Sequence, residues 1–350
     1  MTPLAVARHL VFAVAMALVS AVTVRAMITA RVMDAPDARK AHAVPTPKGG
    51  GVGVVVAFLL GISVLYGTAR FARLADPYFR GVILASIAIA VVAFVDDLRD
   101  WPFGVKLAAQ LLAALAAIGS GLYVQVFSFP YFGAVDLGWW GAAATVAWIL
   151  FATNAMNFID GLDGLAGGTA LVAAGFLAFI AQAQEGWFVY FAALLLAAGL
   201  AGFLPFNFPR ARIFLGDVGS QFCGFVLAVL GVAAARFSAV EMSFLLVPML
   251  LSGVLFDVAF TLARRALAGE RVTQPHRGHL YQVAQRAGMD ARLVAMLHWG
   301  FAALGGLDAI AFIHAPSPWK PVVLALLVLP QLAWLGAVLR LARRAALGRW

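Results

Sequence analysis

Apolar runs of membrane-spanning length follow one another along almost the whole chain, and they constrain its fold more than any other feature. A helix needs about 20 mostly apolar residues to cross a bilayer. Hydrophobic residues make up 63% of the chain and charged residues only 12%, which excludes an ordinary soluble domain. The sequence therefore predicts an all-α, polytopic integral membrane protein with about 10–11 transmembrane helices. Eleven runs qualify, or ten if one pair is wrongly separated: 4–24, 50–67, 80–95, 104–120, 138–156, 166–183, 187–205, 219–235, 240–262, 291–313 and 320–341.

The basic residues lie mostly on one side of the predicted membrane. With the N-terminus outside, nineteen of the 25 lysine and arginine residues fall in cytoplasmic segments and six on the opposite side. Cytoplasmic loops carry such an excess, which predicts the orientation N-out, C-in. Membrane topology then explains the net charge of +9 without a nucleic acid partner. No segment between the runs is long enough for a separate soluble domain, so residues 1–350 should form a single transmembrane domain.

Two amides and two carboxylates recur at three-residue intervals after the fifth run, at Asn154, Asn157, Asp160 and Asp163. A three-residue step keeps Asn154 and Asn157 on one face of a helix. An Asp near the bilayer centre costs at least ~2.5 kcal/mol, so this cluster indicates a water-filled cavity, a metal or a charged ligand. Hydrogen bonding between helices by buried Asn is the alternative, but it leaves both Asp residues unexplained.

A pair of adjacent carboxylates, Asp96 and Asp97, lies at the end of the third run. Two like charges this close raise each other's pKa unless a cation lies nearby. A divalent metal with phosphate resolves that conflict. Oxygen ligands without cysteine favour Mg²⁺, with Mn²⁺ as the alternative ion. A solvated helix terminus is the structural alternative for this pair.

A short glycine-flanked turn, Gly216–Ser220, begins the eighth run. Such a turn allows close backbone approach to a phosphate at a helix N-terminus. Asp217 in this turn can bind a metal that bridges the phosphate. Phe214, three residues before Asp217, can stack on a flat base, although aromatic residues are also common at the membrane interface.

Two histidines and an arginine, His276, Arg277 and His279, lie on a loop between the ninth and tenth runs. The HxxH spacing without cysteine or a third ligand is poor support for zinc. Arg277 offers a forked donor for a diphosphate, and either histidine can donate to a phosphate oxygen in a suitable protonation state. A solvated basic loop that sets the topology is the alternative.

Two lysines and one further aspartate complete the set of candidates. Lys48 precedes three glycines and can contact an anionic ligand or lipid headgroups. Lys106 follows Asp96 by ten residues and can neutralise a phosphate. Asp257 lies seven residues before Arg264 on the same helix face, which favours a structural ion pair.

Taken together, these motifs resemble those of the polyprenyl-phosphate N-acetylhexosamine-1-phosphate transferases of glycosyltransferase family 4, which begin lipid-linked glycan assembly. The resemblance covers nearly the whole chain. Every motif falls on the predicted cytoplasmic side, which implies one cytoplasmic active-site cleft. The motifs are PTPKGG at Pro45 to Gly50, DDLRD at Asp96 to Asp100, NAMNFIDGLDGLA at Asn154 to Ala166, FNFPRARIFLGDVGS at Phe206 to Ser220 and HRGHLY at His276 to Tyr281.

The resemblance also implies a role for each candidate and a requirement for Mg²⁺. By role, the implied residues are Asp96 and Asp97 for catalysis near the reacting phosphates, Asn157 and Asp217 for the metal, Asp160 and Asp163 for the nucleotide pocket, Phe214 for stacking on uracil, and Lys106, His276, Arg277 and His279 for the diphosphate and the sugar. Lys48, on the basic loop, is a further predicted substrate-binding residue.

Within this family the chain is similar to the O-antigen-initiating branch. The branch that transfers phospho-MurNAc-pentapeptide usually has a lysine in place of Asp100 and a run of histidines in place of the segment His276 to Tyr281. Tyr281 is similar to the residue found in members that use modified sugars such as N-acetylfucosamine.

The resemblance implies transfer of N-acetylhexosamine 1-phosphate from a UDP-sugar to undecaprenyl phosphate, giving undecaprenyl-diphosphate-sugar and UMP. The expected setting is the bacterial inner membrane and lipopolysaccharide synthesis. The expected partners are the UDP-sugar, undecaprenyl phosphate and the bilayer, with a homodimer left open. A phospho-MurNAc-pentapeptide transferase is one alternative and a membrane transporter is another, but the polar groups cluster on one side of the membrane and no inverted repeat is evident.

Overall fold

The computed structural model describes residues 2–31, 33–34, 45–68, 76–99, 101–129, 133–236, 242–272, 274 and 276–348. Asp100, whose identity bears on the family branch, lies outside these ranges. Thirteen α-helices account for most of the described chain: α1 Pro3–Ala30, α2 Gly51–Thr68, α3 Asp76–Arg99, α4 Phe103–Gly119, α5 Gly138–Phe158, α6 Leu165–Ala183, α7 Trp187–Asn207, α8 Gly216–Arg236, α9 Leu246–Leu250, α10 Ser252–Leu267, α11 Leu280–Arg286, α12 Ala291–His314 and α13 Lys320–Arg344.

Two short antiparallel strand pairs accompany the helices. Strand β1 (Met33–Asp34) pairs with β2 (Thr46–Pro47), and β3 (Val126–Phe129) pairs with β4 (Gly133–Asp136). Both pairs lie between helices and neither forms part of a larger sheet among the described residues. The prediction of an all-α architecture is therefore confirmed.

Eight of the described helices are long and apolar enough to cross a membrane, and they confirm a polytopic membrane protein. Each of the eleven predicted runs overlaps a helix within the described residues, residues 240 and 241 lying outside them, but three runs do not meet the same criteria of length and hydropathy. Helix α4 has only 17 residues, and α5 carries polar residues at its carboxyl end. The run 240–262 is divided between α9 and α10, because the chain turns at Leu251. The orientation N-out, C-in stays a prediction.

Helix α8 lies at the centre of the bundle, packed against α2, α3 and α5, and nearly all of its residues are buried. Glycines allow the closest of these contacts. A Cβ atom on Gly51 would lie only 2.2 Å from Cα of Gly219, so the amino ends of α2 and α8 meet backbone to backbone. Helices α1, α2 and α6 pack on α7 to complete the larger part of the core.

Several helix termini meet at one end of this bundle. They are the amino ends of α2, α4 and α8 and the carboxyl ends of α3 and α5. Backbone contacts join residues 47–51 to residues 214–219. Side-chain contacts join residues 96, 106, 157 and 217. Helix termini leave unpaired backbone N–H and C=O groups, which polar side chains and ligands satisfy. The polar motifs of the sequence are thereby brought to a single region.

Candidate active site

A lysine bridges two carboxylates at the centre of this region. Nζ of Lys106 lies 2.5 Å from Oδ2 of Asp96 and 2.9 Å from Oδ2 of Asp217. Oδ1 of Asp96 accepts the backbone N–H of Trp101 at 2.8 Å, which holds that carboxylate in place. Lys106 and Asp217 lie 111 residues apart in sequence, and they meet because α4 packs on α3 and α5, both of which pack on α8.

The second carboxylate of the predicted pair, Asp97, binds the amino end of α8. Its two oxygens accept the backbone N–H groups of Asp217 at 3.2 Å and of Val218 at 3.0 Å. The positive end of the helix dipole favours a carboxylate at this position. Gly216 has φ +76°, and a Cβ there would lie 2.8 Å from Oδ2 of Asp97, so both the backbone conformation and the space require glycine. Lys48 lies near enough for its charge to act on Asp97.

The two predicted metal ligands are neighbours, since the side chain of Asn157 lies near enough to the carboxylate of Asp217 to interact with it. Across the described ranges, no group of three or more His, Cys, Asp or Glu side chains is arranged to hold a metal ion. Proteins commonly hold Mg²⁺ with one or two carboxylates, while water and substrate phosphates fill the other positions. A carboxylate beside a side-chain amide fits that mode, and the assignment of Mg²⁺ to Asn157 and Asp217 stays a prediction.

Asp160 and Asp163 occupy the turn after α5 but have different surroundings. Burial, followed by the carboxylates of Asp217, Asp97 and Asp163, raises the pKa of Asp160 well above its usual range. Asp163 instead accepts the backbone N–H of Ala211 at 2.9 Å and so holds the loop that follows α7. Asp160 thus belongs electrostatically to the carboxylate cluster, whereas Asp163 fixes a neighbouring loop.

Phe214 and Lys48 lie on two chain segments that pair through their backbones. The N–H of Phe214 donates to the carbonyl of Pro47 at 2.8 Å, and the N–H of Gly50 donates to the carbonyl of Phe214 at 2.9 Å. This pairing places half-buried Phe214 beside the loop that carries half-buried Lys48. The proposed stacking of Phe214 on uracil stays a prediction.

The HRGHLY motif lies against the carboxyl end of α5. The hydroxyl of Tyr281 donates to the carbonyl of Phe158 at 2.9 Å, and the Tyr281 side chain is buried. A Cβ on Gly161 would lie 2.3 Å from the Tyr281 hydroxyl oxygen, so the tyrosine packs directly on the turn that bears Asp160. Tyr281 is therefore a buried packing residue beneath the turn that bears Asp160. The expected link between Tyr281 and a modified sugar stays a prediction.

The residues of this motif that are predicted to bind substrate lie around the His279 ring. His276 stacks on His279 with 4.9 Å between ring centroids, and His279 is only 4% exposed. Arg277 is half-buried, and its carbonyl accepts from Nη1 of Arg286 at 3.0 Å. Burial, and then the neighbouring basic side chains, lower the pKa of His276 to about 4.

Asp257 has partners other than the one expected from its spacing. Nδ1 of His279 lies 3.1 Å from its Oδ1, and the backbone N–H groups of Leu280 and Tyr281 donate to its two oxygens. The expected pairing with Arg264 is wrong, because α10 directs this carboxylate toward the start of α11. The seven-residue spacing described one helix face correctly but did not show which element packs on it.

Sequence reasoning missed a chain of buried amides behind Asp217. Nε2 of Gln110 donates to Oε1 of Gln221 at 2.9 Å, and Nε2 of Gln221 donates to Oδ2 of Asp217 at 3.2 Å. Asn154 joins the chain, because its Nδ2 donates to Oε1 of Gln110 at 2.6 Å. A helical spacing of four residues connects Lys106 to Gln110 and Asp217 to Gln221, and that spacing was the available sequence signal.

Most of the predicted site residues thus lie close together in the part of the chain that the structure describes. One cluster holds the side chains of Asp96, Asp97, Lys106, Asn157 and Asp217, with Lys48 and Asp160 close enough to interact electrostatically. The carboxylates outnumber the two lysines, so a divalent cation together with an anionic ligand would balance the charge.

Comparison with known proteins identifies a matching family and several similar proteins. The family model described as glycosyl transferase family 4 matches residues 79–235. The chain is 31% identical over 334 residues to a decaprenyl-phosphate N-acetylglucosaminephosphotransferase of Mycobacterium tuberculosis, covering 87% of this chain and 82% of that protein. It is 28% identical over 297 residues to a probable undecaprenyl-phosphate N-acetylglucosaminyl 1-phosphate transferase of Bacillus subtilis, covering 84% and 80%.

A third relative bears on the alternative activity. The chain is 34% identical over 205 residues to a phospho-N-acetylmuramoyl-pentapeptide-transferase of Desulforudis audaxviator. That alignment covers 51% of this chain and 60% of the relative. The similarity to the two N-acetylglucosamine phosphotransferases extends over much more of the chain.

Proposed function

The chain belongs to glycosyl transferase family 4, and on that premise we propose that it transfers an N-acetylhexosamine 1-phosphate from a UDP-sugar to undecaprenyl phosphate. The observation that carries this proposal is the bridge from Lys106 to Asp96 and Asp217 at one end of a membrane helix bundle. Such a cluster suits a reaction between two anionic phosphates, one of which is attached to lipid. The products are undecaprenyl-diphosphate-sugar and UMP.

The reaction is a direct phosphoryl-group displacement. An oxygen of undecaprenyl phosphate attacks the β-phosphorus of the UDP-sugar, the new P–O bond forms, and the bond to the bridging oxygen breaks as UMP leaves. A phosphate monoester has a second pKa near 6 and is largely ionised at pH 7, so a general base adds little. Positioning and charge neutralisation therefore carry most of the catalysis.

The chain's own residues divide that work. Lys106 neutralises phosphate charge, and Asp217 with Asn157 would hold Mg²⁺, which supplies further neutralisation of the diphosphate when bound. Asp97 positions Asp217 through the backbone of α8, whereas Asp96 orients Lys106. Mn²⁺ is the alternative ion because it accepts the same oxygen ligands.

The remaining candidates are assigned to the UDP-sugar donor. We assign the uracil to Phe214, the nucleotide pocket to Asp160 and Asp163, and the diphosphate and sugar to His276, Arg277 and His279, with Lys48 nearby. Asp163 contributes by fixing the loop at Ala211, which precedes Phe214 by three residues. The lowered pKa, about 4, keeps His276 neutral at pH 7; because its Nδ1 accepts the N–H of Gly278, the ring can still donate to phosphate through Nε2–H.

We further propose UDP-N-acetylglucosamine or a related UDP-N-acetylhexosamine as the donor, and initiation of an O-antigen or related envelope glycan in the bacterial inner membrane as the role. The relatives aligned over most of the chain are named for N-acetylglucosamine transfer. The similarity to a MurNAc-pentapeptide transferase covers a shorter part, which makes that donor the second candidate. The site would face the cytoplasm, where nucleotide sugars are available.

A single reconstituted assay tests the reaction and the donor. Purified protein in liposomes containing undecaprenyl phosphate is incubated with radiolabelled UDP-GlcNAc, UDP-GalNAc, UDP-FucNAc, UDP-QuiNAc or UDP-MurNAc-pentapeptide, with Mg²⁺, Mn²⁺ or a chelator. We expect a butanol-extractable lipid product and UMP with one N-acetylhexosamine donor, and loss of both with the chelator. Uptake of label into the vesicles without a lipid product would support a transporter and overturn the proposal.

The matched variant for this assay is Asp217→Asn, which preserves the shape of the side chain and removes its charge. It should purify like the wild type and yield no lipid product. The exposed residue Asp290 caps the amino end of α12, outside the carboxylate cluster. Asp290→Asn is therefore the control and should retain activity.

A further inference from the structure

A buried carboxylate outside the cluster lies directly behind one of the proposed substrate-binding residues. Asp257 is 0% exposed, and each of its oxygens accepts hydrogen bonds. Oδ1 is 3.1 Å from Nδ1 of His279, 2.9 Å from the N–H of Leu280 and 3.2 Å from the hydroxyl of Thr261. Oδ2 is 3.0 Å from the N–H of Tyr281.

Capping of a short helix does not by itself account for a charge at this position. Asp257 does cap α11, but Ser or Asn caps a helix as well as Asp does. A carboxylate buried away from water is strongly destabilising unless it is paired and hydrogen-bonded. The added interaction that only a carboxylate makes well here is the charge-assisted contact with the His279 imidazole.

The surroundings of His279 leave one atom of its ring for a ligand. Three rings lie against that of His279: His276, with centroids 4.9 Å apart, and Tyr281 and Phe158, each with centroids 5.9 Å apart. Nδ1 points to Asp257, and no hydrogen bond from a described residue reaches Nε2. Hydrogen bonding at one imidazole nitrogen determines the role of the other.

We propose that Asp257 is a positioning residue that holds His279 so that its Nε2–H donates to a phosphate oxygen of the sugar diphosphate. The proposal rests on the proposed function, since it specifies which atom of this motif meets the donor. Asp257 accepts the Nδ1 proton, and its negative charge compensates the imidazole when both nitrogens carry protons. The same carboxylate orders the backbone at Leu280 and Tyr281, so ring and helix are aligned together.

A double-mutant cycle separates this role from helix capping. Asp257→Asn keeps a capping oxygen but removes the charge, and His279→Asn keeps a donor for residue 257 but removes Nε2. We expect each single variant to lower kcat/KM for UDP-GlcNAc by at least tenfold, mainly through KM. The kcat/KM of the double variant should lie within about twofold of that of His279→Asn, because Asp257 acts only through the His279 ring. Asp290→Asn is the control, since Asp290 also caps a helix but makes no contact with a histidine.

Independent losses that multiply in the double variant would overturn the proposal and leave Asp257 as a structural cap. Wild-type kcat/KM in Asp257→Asn would overturn it as well. If Asp257→Asn does not fold, ¹⁵N-histidine NMR of the wild type in nanodiscs gives the decisive reading, with His279→Asn for assignment. Protonated Nδ1, and an Nε2 resonance that shifts on titration with UDP-GlcNAc, support the proposal, whereas an unshifted Nε2 resonance contradicts it.

Failure of the proposed function gives a different pattern. If the wild type makes no lipid product with any donor, the reaction is wrong, but the NMR spectrum still reports whether Nδ1 of His279 is held by Asp257 and whether Nε2 meets UDP. If the wild type is active but the losses in kcat/KM of the two single variants multiply in the double variant, only the role of Asp257 is contradicted.

Discussion

Asp97 holds the backbone of Asp217, with 3.2 Å between Oδ1 of Asp97 and the Asp217 nitrogen. The second oxygen of Asp97 accepts the next N–H, from Val218, at 3.0 Å. The aspartate pair at the end of α3 therefore divides its tasks. Asp96 binds Lys106, while Asp97 sets the position of the first turn of α8 and of the carboxylate proposed to bind the metal.

Replacing Asp97 tests that division. Asp97→Asn retains one acceptor for α8 but turns an NH₂ group toward the second N–H, so the first turn and Asp217 must shift. A misplacement of about 1 Å costs roughly 100-fold in rate, and we expect a loss of this size with little change in Tm, because Asn caps helices well. Asp97→Ala should lose about 1 kcal/mol of stability in addition. Turnover of Asp97→Asn near the wild-type value would contradict the assignment.

Lys106 competes with a metal for Asp217. Its Nζ contacts the same Oδ2 that a cation would approach, so Lys106→Met should bind Mg²⁺ alone more tightly while transferring sugar phosphate more slowly. The loss of one charge-stabilising donor predicts a fall in kcat on the order of 10²–10³. Isothermal titration with Mg²⁺ and the lipid-product assay measure the two effects, and Lys106→Arg serves as the charge-preserving comparison. Weaker Mg²⁺ binding in Lys106→Met would show that the lysine does not oppose the metal.

The buried amide chain behind Asp217 predicts a stability effect. Gln110→Leu removes the partner of Gln221 and of Asn154, and leaving such groups unsatisfied costs about 1–3 kcal/mol. We expect a lower Tm in detergent and a smaller effect on kcat, since Asp217 keeps its contact with Lys106. Gln184→Leu, at the far end of α6, is the matched control and should leave Tm unchanged. An unaltered Tm in Gln110→Leu would mean that the chain of amides contributes little.

The contact between Gly161 and Tyr281 predicts a rescue. A Cβ on Gly161 would lie 2.3 Å from the Tyr281 hydroxyl oxygen but 3.1 Å from the nearest ring carbon. Gly161→Ala should therefore destabilise the protein by about 1–3 kcal/mol through overpacking and displace the turn that bears Asp160. Adding Tyr281→Phe removes the clashing oxygen and should recover part of Tm and activity.

Tyr281→Phe alone loses only the hydrogen bond to the carbonyl of Phe158, and we expect it to keep the donor preference of the wild type. A change of preferred sugar in this variant would restore a role for Tyr281 in donor selection.

His276 predicts a pH dependence of stability. Burial and then the nearby basic groups lower its pKa to about 4, whereas an unfolded histidine titrates near 6.5. Between these values the unfolded chain binds the extra proton, so this contribution to stability is lost as pH falls from about 6.5 toward 4. The wild-type Tm should drop more than that of His276→Asn between pH 7 and pH 5. Parallel curves of Tm against pH for the two proteins would contradict the lowered pKa of His276.

Much of this architecture follows from the sequence by itself. The thickness of the bilayer sets the length of an apolar run, so the helices at residues 51–68 or 187–207 are evident without knowledge of their neighbours. Polar residues at the ends of such runs are costly in lipid, which made Asp96, Asn157 and Asp217 candidates before their contacts were known. The span 240–262 was less accurate, because its division at Leu251 depends on packing and leaves no break in hydropathy.

Only the tertiary structure decided which of these residues meet and what each one does. Gln110 and Gln221 lie on helices far apart in the chain, and their contact depends on how α3 and α5, which pack on both helices, place α4 relative to α8. The spacing of Asp257 to Arg264 described one helix face, but the element packed on that face brought His279 instead. Hydropathy and spacing are properties of single segments, whereas a partner is determined by the packing of two.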